Sequence, residues 1–321
     1  MDKKDMREKN QEIILSALKR LKESSKPNLA KETGISVVTV TTHLDALIKK
    51  GEVELIEEEV RSIGGRPARL YRLNASRHLT LGAYITPENF TFKLTTFVIN
   101  LFGEVISGTE ATAEKVTLDF LENEIKSTLS NFPNISYVVL GLDGEELSGV
   151  FSSDTYGELN NIKLREELSS KTNCPVTLAR DVDAAIIGAA KLEGLTLENN
   201  AVVGVSWKDN TSSTGILING KPYLGRDGYA GNMNGLINTN NAVEDAARAL
   251  SLIIRLINPN EIILYNPKLR VNDEENIRGI VLREIDEKFL PKILIRPDIR
   301  EDYGEGIYTL AASFLNNNEV E

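Results

Sequence analysis

Two stretches in the first quarter of the chain carry side chains whose chemistry is recognition rather than bond-making. Ser36, Thr39, Thr41, Thr42 and His43 crowd hydrogen-bonding groups into a few residues, with Val37 among them. Threonine hydroxyls can donate to phosphates or base edges, and Thr and Val methyls can meet the thymine methyl in a DNA major groove. The second stretch, Arg61-Ser-Ile-Gly-Gly-Arg-Pro-Ala-Arg69, sets Arg61, Arg66 and Arg69 around Gly65 and Pro67. An extended, slender peptide bearing arginine suits a narrow minor groove, where the potential is most negative. Metal chemistry has little to work with. One cysteine, Cys174, and two histidines, His43 and His78, exclude an internal disulfide and a Cys/His-rich structural zinc site.

The elements that would carry these groups follow from periodicity. Glu12–Lys22 reads as an amphipathic helix through Ile13, Ala17 and Leu21, with Ile14 and Leu18 beside them. Pro27 can open a second, short helix over Asn28–Glu32, which Thr33-Gly34 ends. Ser36 is a good N-cap for a third helix, with Val40, Leu44, Leu47 and Ile48 on one stripe, stopped by Gly51. Two helices joined by a glycine turn, the second capped by serine, make a helix-turn-helix pattern, with the small polar residues on the N-terminal half of its second helix. Val53–Val60 and Leu70–Leu73 then read as strands flanking a basic tip, which is the layout of a wing. An ordinary three-helix protein-interaction module is the alternative reading.

Charge is distributed to match. The whole chain carries a net charge of −10, yet residues 1–77 hold 16 Lys/Arg against 12 Asp/Glu, and the remainder 21 against 35. A mildly basic head on an acidic body presents one end to phosphates and repels them elsewhere. The first residues, MDKKDMREKNQ, have no apolar core of signal-peptide length, and no window approaches the length of a membrane span, so the expected location is cytoplasmic with no membrane partner.

From about residue 79 the pattern alternates. Strands are expected at Leu79–Ile85, Phe92–Ile99, Tyr137–Leu142, Val176–Leu178, Ala201–Trp207, Gly215–Ile218 and Glu261–Leu264. Helices are expected around Leu118, Leu121, Ile125 and Leu129, over Asp183–Glu193 and over Ala242–Ile257. The Asp183–Glu193 segment is apolar almost all round and should lie buried between layers. Such alternation predicts an α/β domain or two α/β halves, with ligands at strand C-termini.

The order of these pieces resembles the ROK family (repressor, open reading frame, kinase). GGRPARLYRLN at 64–74 is similar to the junction between winged helix and ROK domain in the family's repressors. LARDVDAAIIGAA at 178–190 resembles the segment holding the catalytic aspartate. VVGVSWKDNTSSTGILINGKPYLGRDGYAGNMNGL at 202–236 resembles the second phosphate loop and the sugar-binding stretch, and INPNEIILYNP at 257–267 the nucleotide-proximal strand. The resemblance implies an α/β fold in two domains: a winged helix-turn-helix over 1–77, and a two-lobed actin/hexokinase-like ROK domain over 78–321.

Departures from the family's kinase pattern matter as much. Where its kinases carry Asp-Ile-Gly-Gly-Thr, this chain has Tyr84-Ile85-Thr86-Pro87-Glu88; where they carry Gly-Thr-Gly-Ile-Gly, it has Asp209-Asn210-Thr211-Ser212-Ser213. Tyr265-Asn266 replaces the glycine pair near the adenosine, Asn232 a glutamate, and Gly235 a metal-ligating histidine. The family's cysteine-rich zinc loop is absent. The resemblance, so altered, implies no catalytic residue, no cofactor and no metal. Asp181 stands at the catalytic-base position, where it caps the following helix, pairs with Arg180, or contacts a ligand. Arg180 replaces an asparagine: it either draws a phosphorylated or acidic sugar or merely neutralises Asp181 and Asp183.

The expected function is therefore DNA-binding transcription regulation, most simply repression of carbohydrate-related genes. The DNA contacts fall to Ser36, Val37, Thr39, Thr41, Thr42, His43, Arg61, Gly65, Arg66 and Arg69. Arg180, Asp181 and Asn232 are the effector-binding candidates. Partners are double-stranded DNA with a palindromic operator, a sugar, sugar-phosphate or acidic-sugar effector, and a second copy of the chain in a homodimer or higher homo-oligomer. A sugar kinase with an appended helix-turn-helix and a protein-interaction scaffold are the competing classes.

Overall fold

The computed structural model describes residues 3–56, 69–208, 211–233, 235–237 and 239–317. The chain divides into two compact units, Met1–His78 with Asn100–Phe102, and Leu79–Ile99 with Gly103–Glu321.

The first unit runs α1 (Lys3–Leu21), β1 (Glu23–Ser25), α2 (Lys26–Thr33), α3 (Val37–Lys49), β2 (Val53–Ile56) and β3 (Leu70–Leu73). β3 lies between β1 and β2, antiparallel to both, with Tyr71 opposite Ser24 on one side and Leu55 on the other. Ser25 caps α2, accepting from the Asn28 amide, with Pro27 in the first turn where its missing N–H costs nothing. Ile14, Leu18, Leu29, Val40, Leu44, Leu47, Val53, Tyr71 and Leu73 form one buried cluster that ties the three helices to the sheet. α1 begins nine residues before the expected Glu12, because the Lys, Glu, Met and Arg ahead of it favour helix without contributing an apolar stripe. β1 escaped the sequence reading because three polar residues show no alternation. The expected strand Val53–Val60 is described only to Ile56, and Arg61, Gly65 and Arg66 lie outside the described residues.

The second unit repeats one topology. Its first half is β4 (Leu79–Glu88), β5 (Thr91–Ile99), β6 (Val105–Ala113), α4 (Leu118–Asn131), β7 (Ile135–Leu142), a small hairpin of β8 (Glu145–Leu147) and β9 (Val150–Ser152), α5 (Leu164–Thr172), β10 (Val176–Arg180) and α6 (Asp181–Glu193). Its second half is β11 (Ala201–Lys208), β12 (Thr211–Ile218), β13 (Lys221–Pro222), α7 (Ala242–Ile257), β14 (Glu261–Tyr265), α8 (Glu274–Val281), β15 (Lys292–Arg296) and α9 (Arg300–Asn317). The two main sheets are ordered β10-β7-β4-β5-β6 and β15-β14-β11-β12-β13. In each, an antiparallel meander is extended by two parallel strands, so the halves share one plan.

Each half ends in a helix, and the two helices cross. A Cβ built on Gly188 of α6 would lie 1.8 Å from the Asp302 carbonyl oxygen of α9, and one on Gly306 would lie 1.7 Å from the Ala184 carbonyl oxygen of α6. Each glycine thus faces the residue four positions before the other, and only glycine allows backbone to meet backbone there. α6 is buried from Asp181 to Ala190. Among the described residues no helix is long and apolar enough to cross a membrane.

Candidate functional site

Two places gather the residues singled out above. The first is α3. Ser36 sits extended ahead of it, its Oγ accepting from the Thr39 amide at 3.2 Å and lying 2.8 Å from Thr39 Oγ1. Thr42 Oγ1 donates to the Val38 carbonyl at 3.1 Å, so its lone pairs face outward. Val37 and Thr42 are exposed, Thr39 and Thr41 half-buried, and Arg69 is exposed just ahead of β3.

Two placements differ from the expectation. His43 is buried, at 7% exposure, because it shares a face with Val40 and Leu47 at three- and four-residue spacing. Burial first, and the Arg7 charge second, hold its imidazole below the ordinary histidine range. Val38, which the sequence reading passed over, is 77% exposed and heads the outward row Val38, Thr42, Asp45 and Lys49. Plotting the helix wheel opposite the Val40–Leu44–Leu47 stripe would have found it.

The second place is a cleft of about 750 Å³ in the second unit, walled by both halves. Strand C-termini supply its floor, as open α/β sheets generally do. Asp143 and Glu145 follow β7, Arg180 and Asp181 join β10 to α6, Lys208 ends β11, and Thr214, Tyr229 and Asn232 face them. The three effector candidates Arg180, Asp181 and Asn232 therefore line one cavity.

Ion pairs organise it. Arg180 grips Asp183 with both arms, Nε to Oδ2 at 2.6 Å and Nη2 to Oδ1 at 2.9 Å. Lys208 Nζ lies 2.8 Å from Asp181 Oδ2 and 2.8 Å from Asp143 Oδ2, while Thr155 Oγ1 donates to that Asp143 oxygen at 2.7 Å. The other Asp181 oxygen accepts from the Val182 amide at 2.7 Å. Burial works against the Lys208 charge, but the Asp181 and Asp143 carboxylates outweigh it and raise its pKa. Burial also lifts Asp181 above the ordinary carboxylate range, against the opposing pull of Lys208. Arg180 is likewise held charged, its desolvation outweighed by Asp183 and Glu145. Arg180 thus pairs with Asp183, and Lys208 takes the Asp181 partner role that the sequence reading had offered to Arg180. Lys208, Asp143 and Glu145 were missed; their position at or near strand ends was the available signal.

The turns that close on the cleft are tight. β4 and β5 pair without a gap to Glu88 opposite Thr91, leaving the two-residue turn Asn89-Phe90 with Asn89 left-handed at φ 55°. Pro87 faces the cleft from that hairpin. β11 and β12 pair to Lys208 opposite Thr211. Tyr265 is buried with its hydroxyl donating to Asp302 Oδ2 at 2.9 Å, and the Asn266 side chain accepts from the Lys268 amide.

Two α/β halves of one topology, each closed by a crossing helix around an interlobe cleft, define the actin-like two-lobed fold. Residues 92–240 match the ROK family. The xylose repressor of Bacillus subtilis is 23% identical over 230 residues, covering 70% of this chain and 59% of that repressor, so the match spans less than two thirds of that relative's length. In fold, the chain is similar to a ROK family transcriptional regulator that is a homologue of the E. coli MLC protein, with a TM-score of 0.58 at 16% identity, covering 97% of this chain and 98% of that one. It is similar also to the ROK hexokinase of Thermus thermophilus, with a TM-score of 0.57 at 13% identity, covering 74% and 99%.

Proposed function

We propose that the chain is a sequence-specific DNA-binding transcriptional regulator, a repressor of carbohydrate-related genes. In this reading residues 1–77 form a winged helix-turn-helix, and residues 78–321 a ROK-like effector and dimerisation domain without kinase activity. One observation carries it: α3 keeps its back in the core and offers an open outer row headed by Val38 and Thr42. A major groove admits a helix presented in this way, its N-terminal half toward base edges. Ser36, Val37, Thr39, Thr41 and Thr42 supply the hydroxyls and methyls, and Arg61, Gly65, Arg66 and Arg69 the wing that reaches a minor groove or its phosphates. A homodimer would pair two such helices on a palindromic operator. The similarity to a xylose repressor supports the choice of repression and a carbohydrate effector.

The loss of kinase chemistry rests on what fills the phosphate positions. Phosphoryl transfer is mostly positioning and charge neutralisation by backbone loops and metal. Here the β4–β5 hairpin closes in two residues with no glycine. Lys208 occupies the Asp181 carboxylate that would have to accept the substrate's proton. The fold likeness to a hexokinase favours the second reading, an active sugar kinase.

Band shifts across a salt series, with genomic fragments selected for binding, test the first reading. Binding should weaken steeply as salt rises, since phosphate contacts release counterions. Salt-independent retention, or none at any salt, would refute it. A coupled ATPase assay with common hexoses tests the second, and robust turnover would overturn the loss of kinase chemistry.

A further inference from the structure

We propose that the second unit binds an uncharged aromatic compound of one or two fused rings, in an apolar cavity beside the interlobe cleft. The site is an addition to the reading of residues 78–321 as an effector domain and does not depend on what the cleft itself takes.

Size and lining are the first ground. The cavity holds about 310 Å³ among β7, β10, α6, α9 and the loop after β13. Protein interiors seldom leave a void larger than a water molecule. A dry apolar cavity of roughly 150 Å³ takes up benzene, so this one has room for a bicyclic ring. Ten of the residues around it are apolar. Leu178, Leu224, Leu310 and Phe314 among them are not fully buried, which leaves apolar surface for a guest to cover. Backbone frames one side: a Cβ built on Gly228, which has φ 89°, would lie 2.6 Å from the Glu146 carbonyl oxygen, so the loop comes down onto β8 as closely as glycine permits.

The polar side chains on the wall decide the ligand class. There are five, and each is already bonded within the protein. Glu146 accepts from Arg165 Nε at 3.1 Å, and Thr177 Oγ1 lies 2.8 Å from the Tyr137 hydroxyl. Arg180 and Asp183 hold each other bidentately, and Ser313 Oγ donates to the Leu310 carbonyl at 2.7 Å. A charged guest would shed its water here and find no uncommitted side chain, a cost that an apolar guest does not incur. Rings suit the place better than chains. Phe151 and Phe314 bring aromatic rings from β9 and α9, with Phe314 fixed by stacking on Tyr137 at a centroid distance of 3.9 Å. A rigid ring also gives up little conformational freedom on binding. Gly144 and Arg180 border both this cavity and the cleft, so an occupant here is a neighbour of whatever the cleft holds.

The test uses the full chain, with calorimetry and thermal shift against toluene and indole, and against benzoate and benzylamine as charged counterparts. Toluene or indole should raise Tm and bind with a Kd of about 1 mM or tighter. Binding should carry a negative heat-capacity change and should not weaken as salt rises. Benzoate and benzylamine should bind at least about tenfold more weakly. Ala179→Leu, which adds side-chain volume on the wall, should abolish binding while leaving the unliganded Tm equal or higher. Leu224→Ser, at an exposed rim position, should weaken binding with the unliganded Tm unchanged, and keeps the test decisive should Ala179→Leu not fold. No binding of either uncharged ring, or equal binding of the charged counterparts, would overturn the proposal. So would binding left intact in both variants, since the site would then lie elsewhere. Dissociation of a dimer by the probes, read by analytical ultracentrifugation, would give the cavity to a second copy and overturn it likewise. None of these outcomes bears on DNA binding, which band shifts judge separately.

Discussion

Replacing Gly188 by alanine adds one methyl group where α6 and α9 touch. Its carbon would lie 1.8 Å from the Asp302 carbonyl oxygen. Carbon and carbonyl oxygen need about 3.3 Å, so the helices must part by about 1.5 Å at the crossing. The obstacle is backbone and cannot rotate aside. The neighbouring Asp302 carboxylate also holds the Tyr265 hydroxyl, so retreat of α9 strains that bond too. Overpacking a tight core costs about 1–3 kcal/mol and occasionally more, and backbone collision belongs at the upper end. Against it stands the gain of about 0.5–1 kcal/mol that alanine brings to a helix over glycine. The net expectation is a loss of about 2 kcal/mol or more for Gly188→Ala. Gly279→Ala in α8, where a new Cβ meets nothing within 4 Å, should instead gain the full propensity term. Urea unfolding followed by circular dichroism would measure both. A Gly188→Ala variant as stable as the parent chain, or shifted in the same direction as Gly279→Ala, would refute the crossing argument.

Three further outcomes are expected. Lys208→Met leaves Asp143 and Asp181 without their cation and should cost about 1–3 kcal/mol at pH 7, less than for a fully buried pair because Lys208 is over a third exposed. Asp181 already sits above its unfolded value, so this loss should grow as pH rises and shrink toward acid; a pH series of melting curves showing no such trend would count against it. His43 is held below its ordinary value of 6.5, so the unfolded chain takes up its proton first: stability should fall as pH drops below about 6.5, and His43→Leu should remove that part of the slope. Val38→Asp, at an exposed site, should leave melting unchanged and weaken DNA binding about tenfold or more, read by band shift.

Legibility in the sequence tracked how strongly each segment's burial was one-sided. α7 was readable to the residue over Ala242–Ile257, because its apolar residues fall on one face and Asn241 caps it. The all-apolar α6 segment was readable as buried. α9 was not, since Gly304 and Gly306 weaken helix propensity; yet Gly306 is required by the approach of α6. β6 was invisible because most of its residues are exposed on an edge, which leaves no alternation to detect. The cleft was half legible. Arg180, Asp181 and Asn232 line it together, but the partner of Asp181 comes from Lys208, which lies 27 residues further along on another strand. Local spacing favoured Arg180 for that role, and only the packed halves reveal the exchange. The misplaced His43 has a related cause: a polar side chain among threonines suggests an outer face, whereas helical phase put it inward.

The matched glycines at the α6–α9 crossing have a mechanical consequence. Because each faces the residue four positions before the other, the contact is its own mirror under exchange of the halves, which puts it on their approximate twofold axis. A rotation about that point displaces the crossing least and residues farther along each helix more. The crossing can serve as a fulcrum, and Asp181 sits off it at the start of α6, where a turn of one half against the other would bear on the Lys208 pair.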